Sequence, residues 1–178
     1  MDYLIKTERL HLRPPVAGDS SKMYAIMKDE KLTKFLTWNH HENELTTKGL
    51  LKNLINAHKE GRGYHWCVCV DEEVVGLISL IDVRRIIRLW TINRAELSYL
   101  IGSKYQGKGY ATEASRAIRD FGLEELKLHK IIVAHSNKNV ESKKICQKLG
   151  FVQYAHEHDA FCKNGQWHDL IWYEYFSK

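Results

Sequence analysis

The most informative run in this chain is Gln106-Gly107-Lys108-Gly109-Tyr110-Ala111-Thr112. It lies between an alternating apolar pattern typical of a strand, over 95–101, and an amphipathic pattern typical of a helix, over 114–121. A glycine-rich turn that opens a helix presents several backbone N–H groups at the positive end of the helix dipole. Gly107 and Gly109 also let the backbone approach a ligand without a Cβ in the way. The run therefore predicts a seat for the phosphates of a nucleotide-like ligand.

Three phosphate-binding patterns compete for this run. A Walker A loop, GxxxxGK[ST], fits over 102–108, but Gly109 stands where the hydroxyl that holds Mg²⁺ is needed. A dinucleotide fingerprint needs glycine or alanine at the position of Thr112. Both of these patterns also expect an open parallel sheet, which the order of the predicted strands does not suggest. The third pattern, [QR]-x-x-G-x-[GA], is matched by Gln106, Gly109 and Ala111 at every specified position.

A second motif follows downstream. After a short predicted strand over 131–135 come Asn137-Lys138-Asn139-Val140-Glu141-Ser142 and then a short helix that ends at Lys148-Leu149-Gly150-Phe151. Gly150 is a natural residue for the position just after a helix. With the glycine turn, this N-x-x-S…K-x-G-F pattern resembles the GNAT acyltransferase superfamily, in which the glycine turn is the pyrophosphate loop.

Three further stretches resemble the branch of that superfamily that acetylates ribosomal proteins. They are Thr7-Glu8-Arg9-Leu10-His11-Leu12-Arg13-Pro14, Arg94-Ala95-Glu96-Leu97-Ser98-Tyr99-Leu100-Ile101 and Asn164-Gly165-Gln166-Trp167-His168-Asp169. The resemblance spans the chain from Thr7 to Phe176. It implies an α/β GNAT fold, with a mixed, mostly antiparallel central sheet of about seven strands, flanked by helices and splayed between its central strands.

The length of 178 residues suits one domain, because domains commonly have about 100–200 residues. We therefore expect one GNAT domain over 1–178. Apolar periodicity predicts a strand over 4–13, helices over 19–29 and 46–59, and a hairpin over 64–70 and 74–83. Asp19 is positioned to cap the first helix. The later predicted elements are a strand at 94–101, a helix at 111–126, a strand at 130–135, a helix at 140–149, and a hairpin of strands 151–162 and 166–176 around Asn164-Gly165, which is a type I′ turn signal.

Composition excludes several classes of protein. The net charge is +5 with a pI of about 8.9, and no block of five like charges predicts a nucleic-acid partner. No run approaches the roughly 18 apolar residues of a membrane span, and Met1–Lys6 lacks the pattern of a signal peptide. The CxC pair with scattered histidines lacks zinc-ligand spacing, so we expect no metal. The four cysteines are Cys67, Cys69, Cys146 and Cys162; we expect them to be reduced core residues of a cytoplasmic protein.

The resemblance implies acetyl-CoA as cosubstrate, with its pantetheine arm between strands 94–101 and 130–135. Backbone groups of Tyr99, Leu100 and Ile101 would bond the arm, and one N–H there would stabilise the oxyanion. Asn137 and Asn139 would anchor it from the other side, although Asn139 would equally serve as a helix cap. The pyrophosphate would rest on the turn formed by Gln106, Gly107, Lys108, Gly109, Tyr110, Ala111 and Thr112.

Acetyl transfer to an amine requires one group to remove a proton from the ammonium and another to protonate the departing thiolate. Glu96 is the candidate base, with a structural ion pair to Arg94 or Arg116 as the alternative. Ser142 of the N-x-x-S motif is the candidate acid, with a capping role at the helix N-terminus as the alternative. Many members of the family carry, where this chain has Cys146, a tyrosine that acts as the acid. Because that tyrosine is missing here, we expect Ser142 to protonate the thiolate.

The acceptor amine is the least specified part. Trp38 follows the first predicted helix, in the segment that forms the acceptor wall in this branch. The resemblance favours a protein N-terminal α-amine over a small amine such as an aminoglycoside or polyamine. A catalytically silent fold that senses acyl-CoA is a further alternative. We expect no nucleic-acid or membrane partner, and the residues are compatible with a homodimer.

Overall fold

The computed structural model describes residues 3–177, so Met1, Asp2 and Lys178 lie outside it, including the start of the segment in which we expect no signal peptide. The described strands are β1 (Ile5–Lys6), β2 (His11–Arg13), β3 (Tyr64–Val70), β4 (Glu73–Ile87), β5 (Trp90–Ile101), β6 (Lys130–Ser136), β7 (Val152–Lys163) and β8 (Gln166–Phe176). The described α-helices are α1 (Ser20–Met27), α2 (Glu44–Lys59), α3 (Tyr110–Glu124) and α4 (Val140–Lys148). None of these helices is long and apolar enough to cross a membrane.

The strands form one sheet in the order β1-β2-β3-β4-β5-β6-β8-β7. Every neighbouring pair is antiparallel except β5 and β6, which confirms the mixed, mostly antiparallel sheet. The described sheet has eight strands rather than about seven, and one cause is that the strand expected over 4–13 is two strands. Thr7 turns the chain there, because its backbone N–H donates to the Leu10 carbonyl at 2.9 Å and its Oγ1 accepts from the Leu10 N–H at 3.0 Å.

Alternating side chains of the sheet supply two cores. Trp66 and Val68 of β3 face α3 and α4 and join the larger core, whereas Cys67 and Cys69 face α1 and α2. Cys162 is exposed, so the expectation of four core cysteines is wrong at that position. Its place near the end of β7, one residue before Lys163, keeps it away from both cores.

The centre of the sheet is where β5 and β6 diverge. Their parallel pairing has three rungs, the last of which joins Glu96 to Ile132. Beyond that rung, residues 97–101 of β5 stay paired with β4, and residues 133–136 of β6 stay paired with β8, but the two strands no longer pair with each other. The expected splay between the central strands is therefore present, and it opens directly beside Glu96.

The N-termini of α1 and α2 differ from the prediction, whereas the turn between β7 and β8 agrees with it. Asn43 caps α2, since its side chain accepts from the Thr46 N–H. Asp19 does not cap α1, because its carboxylate is bound by the Arg13 guanidinium at 2.6 and 2.8 Å and by the Val16 N–H at 2.8 Å. Asn164-Gly165 forms the expected turn between β7 and β8, with φ of 50° and 74°.

Candidate active site

The glycine turn leads directly into α3. Gly107 and Gly109 have φ of +78° and +82°, a region that residues with a Cβ seldom occupy. Gly109 is the N-cap of α3, so the amides of 109–112 have no partner within the helix. No carbonyl or side chain of residues 3–177 accepts from them either. This row of free N–H groups at a helix N-terminus suits an anion such as the pyrophosphate of CoA.

Arg9, from the connection between β1 and β2, contacts this turn, and we did not single it out from the sequence. Its Nη1 donates to the Lys108 carbonyl at 2.9 Å, and its guanidinium carbon lies 5.1 Å from the centre of the Tyr110 ring. A salt bridge of 2.6 Å joins it to Glu113 in the first turn of α3. Thr7 donates to the same carboxylate at 2.6 Å. The Thr7-Glu8-Arg9 stretch quoted for the family resemblance was the available signal.

Gln106 anchors the turn to β5. Its side-chain Nε2 donates to the carbonyl of Ile101, the last residue of β5, at 2.9 Å. The exposed Lys108 and the half-buried Thr112 lie along the same turn. The structure therefore brings together the whole predicted run from Gln106 to Thr112 at the end of β5. Tyr99, Leu100 and Ile101 lie in the last part of β5, beyond its pairing with β6.

Two hydroxyl groups meet on the α3/α4 face of the divergence. The Tyr99 hydroxyl and Ser142 Oγ are 2.7 Å apart. Cys146 lies one helical turn after Ser142, and burial raises the pKa of its thiol to about 12. Burial also raises the pKa of Tyr99, so its phenol stays protonated at neutral pH. The sequence pointed only to the backbone of Tyr99, and its side-chain contact with α4 is new.

The two asparagines of the N-x-x-S motif have protein partners. Asn139 is the N-cap of α4, and its Oδ1 accepts from the Ser142 N–H at 3.1 Å. Asn139 therefore fills the capping role, and the Ser142 hydroxyl is used by Tyr99 instead. Asn137 is tied to β8, because its N–H donates to the Asp169 carbonyl at 3.1 Å and its Nδ2 donates to the Asp169 carboxylate at 3.2 Å.

Glu96 lies on the other face of the sheet. Ala95 and Leu97 point into the core under α3, so the alternation of β5 directs Glu96 toward the side of α1 and α2. Burial raises the pKa of Glu96, the negative charge of Asp82 raises it further, and Arg94 opposes both. Within residues 3–177 Glu96 forms no salt bridge, so the alternative of an ion pair with Arg94 or Arg116 is not found.

Trp38 belongs to the connection between α1 and α2, over 28–43. It packs against the core on the α1/α2 face, as does Leu100 from the end of β5. Lys163, at the tip of the β7–β8 hairpin, holds this connection in place. Its Nζ donates to the carbonyls of Thr33, Leu36 and Trp38 at 2.6, 2.8 and 2.6 Å. β7 and β8 lie on the β6 side of the divergence, whereas the connection packs against the β1–β5 side. These three bonds therefore bridge the divergence on the face of the sheet that carries Glu96.

The comparisons with known proteins agree with this geometry. The acetyltransferase (GNAT) domain family matches residues 9–152. The chain is 24% identical over 166 residues to a Bacillus subtilis protein provisionally named ribosomal N-acetyltransferase YdaF, covering 92% of this chain and 88% of that one. It is 28% identical over 160 residues to spermidine N(1)-acetyltransferase of Escherichia coli K12, covering 90% and 82%.

Solved structures share the fold. A ribosomal L7/L12 alpha-N-protein acetyltransferase, solved in complex with coenzyme A, superposes with a TM-score of 0.89 at 18% identity over 97% of each chain. An acetyltransferase from Salmonella typhimurium that modifies the N-terminal serine of L7/L12 superposes with a TM-score of 0.87 at 17% identity, covering 98% of this chain and 99% of that one. Identity this low establishes the common fold alone.

Proposed function

Because this chain belongs to the GNAT acetyltransferase family, we propose that it moves the acetyl group of acetyl-CoA directly to a protein N-terminal α-amine within a ternary complex. The observation that carries the proposal is the divergence of β5 and β6 with Glu96 on one face and the Tyr99–Ser142 pair on the other. A base and an acid on opposite faces of one gap suit a reaction that takes a proton from an amine and gives one to a thiolate.

The residues of the glycine turn fit the cosubstrate. The free amides of 109–112 and the side chains of Arg9 and Lys108 would hold its phosphates, while Tyr99, Leu100 and Ile101 would present backbone groups to its arm. Asn137 and Asn139 would border the arm through their backbone, since their side chains are engaged within the protein. Acetyl-CoA supplies the activated acetyl group, and everything else in the reaction falls to this chain.

Two proton transfers follow from the positions of the side chains. Glu96 accepts the proton of the acceptor ammonium, through water where the distance requires it, and its raised pKa brings its basicity closer to that of the amine. Ser142 gives its hydroxyl proton to the sulfur as the carbon–sulfur bond breaks, and a proton from solvent then restores the hydroxyl. Tyr99, which remains neutral, donates to Ser142 Oγ, so that the serine hydrogen is directed away from Tyr99 and the charge left on Oγ is stabilised.

An α-amine suits this machinery better than a lysine side chain. Its pKa is lower by about 2.5 units, so deprotonation at neutral pH costs about 3.4 kcal/mol less. Trp38 would form one wall of the cleft that admits the amine. The free, buried cysteines and the use of acetyl-CoA favour a cytoplasmic setting. A polyamine acceptor is the second candidate, because the spermidine acetyltransferase is among the relatives with higher identity.

The experiment that tests the proposal measures CoA release from acetyl-CoA with a panel of amines. The panel pairs peptides that carry a free small N-terminal residue with the same peptides blocked at the N-terminus, and adds spermidine and an aminoglycoside. We expect release with the free peptides and none with the blocked ones. Release with spermidine alone would show that the acceptor is a polyamine and not a protein N-terminal α-amine. Binding of acetyl-CoA without release in any arm would favour the silent sensor.

A further inference from the structure

Three side chains of metal-ligating types that have no role in the proposed acetyl transfer meet on the β7–β8 hairpin. They are His156 and His158 of β7 and Asp169 of β8, and their ligand atoms all lie within 4.8 Å of one another. His156 Nε2 is 2.7 Å and His158 Nδ1 is 3.7 Å from Asp169 Oδ2. The centres of the two imidazole rings are 4.1 Å apart.

The hairpin is irregular where His158 faces Asp169. The pairing of β7 with β8 shifts register between Glu157 and Phe161, and Asp159 in this interval has a φ of +46°. Bulges of this kind redirect side chains and are frequent at functional sites. Here the unpaired interval covers residues 158–160 of β7, which lie opposite Asp169 of β8, so His158 lies within it and His156 lies in the paired strand just before it.

The carboxylate of the group is oriented by residues behind it. Asp169 Oδ1 accepts from the Asp159 N–H at 3.1 Å, and Oδ2 accepts from Asn137 Nδ2 at 3.2 Å. Outer-shell hydrogen bonds of this type fix metal-binding carboxylates in place. The His158 side chain is 78% exposed and that of His156 is 40% exposed, so an ion can enter from solvent and keep water in its remaining positions.

We propose that His156 Nε2, His158 Nδ1 and Asp169 Oδ2 bind a divalent transition-metal ion of the Zn²⁺ class. Two imidazoles and one carboxylate are the donors that Zn²⁺, Ni²⁺ and Cu²⁺ accept, whereas Mg²⁺ and Ca²⁺ prefer oxygen donors. Tetrahedral Zn²⁺ at about 2.0–2.2 Å from each ligand separates the ligand atoms by about 3.4 Å. The observed 2.7 and 3.7 Å bracket that value, and rotations of two exposed side chains supply the difference.

The sequence led us to expect no metal, because the CxC pair and the scattered histidines do not have the spacing of CxxC pairs or of a Cys/His ligand set. The pattern that carries this site is H-x-H on one strand, which places both histidines on one face, with an aspartate on the next strand that the strand pairing brings beside them. The site does not depend on acetyl transfer, so it stands or falls separately from the proposed function.

Calorimetric titration with ZnCl₂ tests the site, with MgCl₂ as the comparison ion and with Co²⁺ absorption as a report on imidazole ligation. We expect one Zn²⁺ per chain, no Mg²⁺ binding, and at least about tenfold weaker Zn²⁺ binding in His158→Gln and in the double variant His156→Ala/His158→Ala. His11→Ala, which removes an exposed histidine of β2, should bind as the wild type does.

Two results would overturn the proposal. One is a wild-type protein that takes up no Zn²⁺ at millimolar concentration. The other is Zn²⁺ binding that His158→Gln and the double variant leave unchanged while they retain the wild-type circular dichroism spectrum.

Discussion

The hydroxyl oxygens of Tyr99 and Ser142 lie 2.7 Å apart, although the residues are 43 positions apart in the chain. β5 contributes the first and α4 the second. The family resemblance implies that many members carry a tyrosine at the helix position where this chain has Cys146. Here a phenol reaches the same helix from the neighbouring strand, and the raised pKa of Tyr99 keeps it a hydrogen-bond donor. The proposed proton donor is thus held by a partner that spacing along α4 does not reveal.

Ser142→Ala should lower kcat by about 100-fold, which is typical for the loss of an acid–base group, with little change in acetyl-CoA affinity. Tyr99→Phe should lower it by about fivefold, because it removes one hydrogen bond worth about 1 kcal/mol. Steady-state rates at saturating acetyl-CoA measure both. Ser115→Ala is the matched control, since its buried Oγ lies on α3 without a hydrogen-bond partner in the described chain. Unchanged kcat in Ser142→Ala would remove Ser142 from the mechanism.

Acetyl-CoA should raise the melting temperature, because a ligand at about 100 times its Kd adds about 2.7 kcal/mol to the free energy of unfolding. Gly109→Glu should abolish that shift by placing bulk and negative charge beside the free amides of α3. Gly165→Glu is the matched control, because Gly165 has a comparable φ of +74° but lies in the β7–β8 turn. It should destabilise the protein and leave the ligand shift intact. Thermal scans with and without acetyl-CoA measure the melting temperature of each variant. If acetyl-CoA raised the melting temperature of Gly109→Glu as much as that of the wild type, this turn would be excluded as the phosphate-binding site.

Glu96→Gln should lower the rate most at pH values where the acceptor is mainly protonated. Its effect on stability has a defined sign. The folded-state pKa of Glu96 is raised, so its contribution to stability is present at low pH and is lost as pH rises through that pKa. Glutamine should therefore leave the free energy of unfolding unchanged or raise it at neutral pH. Denaturant unfolding and pH–rate profiles measure the two effects; a marked loss of stability at neutral pH would instead indicate a structural ion pair.

Lys163→Met should loosen the connection between α1 and α2, because it removes three charge-assisted bonds to the carbonyls of Thr33, Leu36 and Trp38. Loss of such bonds should speed amide exchange in residues 30–41 by about tenfold or more. Hydrogen exchange followed by mass spectrometry measures it. Lys104→Met is the control, since the salt bridge of the exposed Lys104 is to Glu73 of β4, outside the connection. Equal exchange in the two variants would show that Lys163 does not hold the segment.

Local signals predicted much of the fold. The glycine turn, the start of α3 and the Asn164-Gly165 hairpin follow from residues that act on their immediate neighbours. The prediction that Asp19 caps α1 is wrong because a residue of another element intervenes: Arg13, from the preceding strand, binds its carboxylate. The division of 4–13 into β1 and β2 is stabilised by the backbone and the hydroxyl of Thr7, both bonded to Leu10, which a hydropathy pattern does not show.

For the candidate site, the sequence predicted which helices and strands carry the residues, but not which side chains contact one another. The motif spacing placed Ser142 and Gly109 at the starts of their helices. It could not show that Asn139, rather than Ser142, caps α4, or that Arg9 closes on the Lys108 carbonyl. The role of Lys163 could not be predicted for the same reason, since its three acceptors lie at least 125 positions away in the chain. Long-range contacts of backbone carbonyls leave no trace in residue type.

The three-rung pairing of β5 with β6 also bears on how the protein avoids aggregation. Past Glu96 and Ile132 the sheet has two internal edges, each with backbone groups turned toward the other. Open edges are templates for pairing with foreign chains, and outer strands carry charges or bulges that discourage it. Leu97, Leu100 and Val133 bring no such protection. If the pantetheine arm lies there as proposed, acetyl-CoA also covers the unpaired backbone groups of β5 and β6 and prevents them from pairing with another chain.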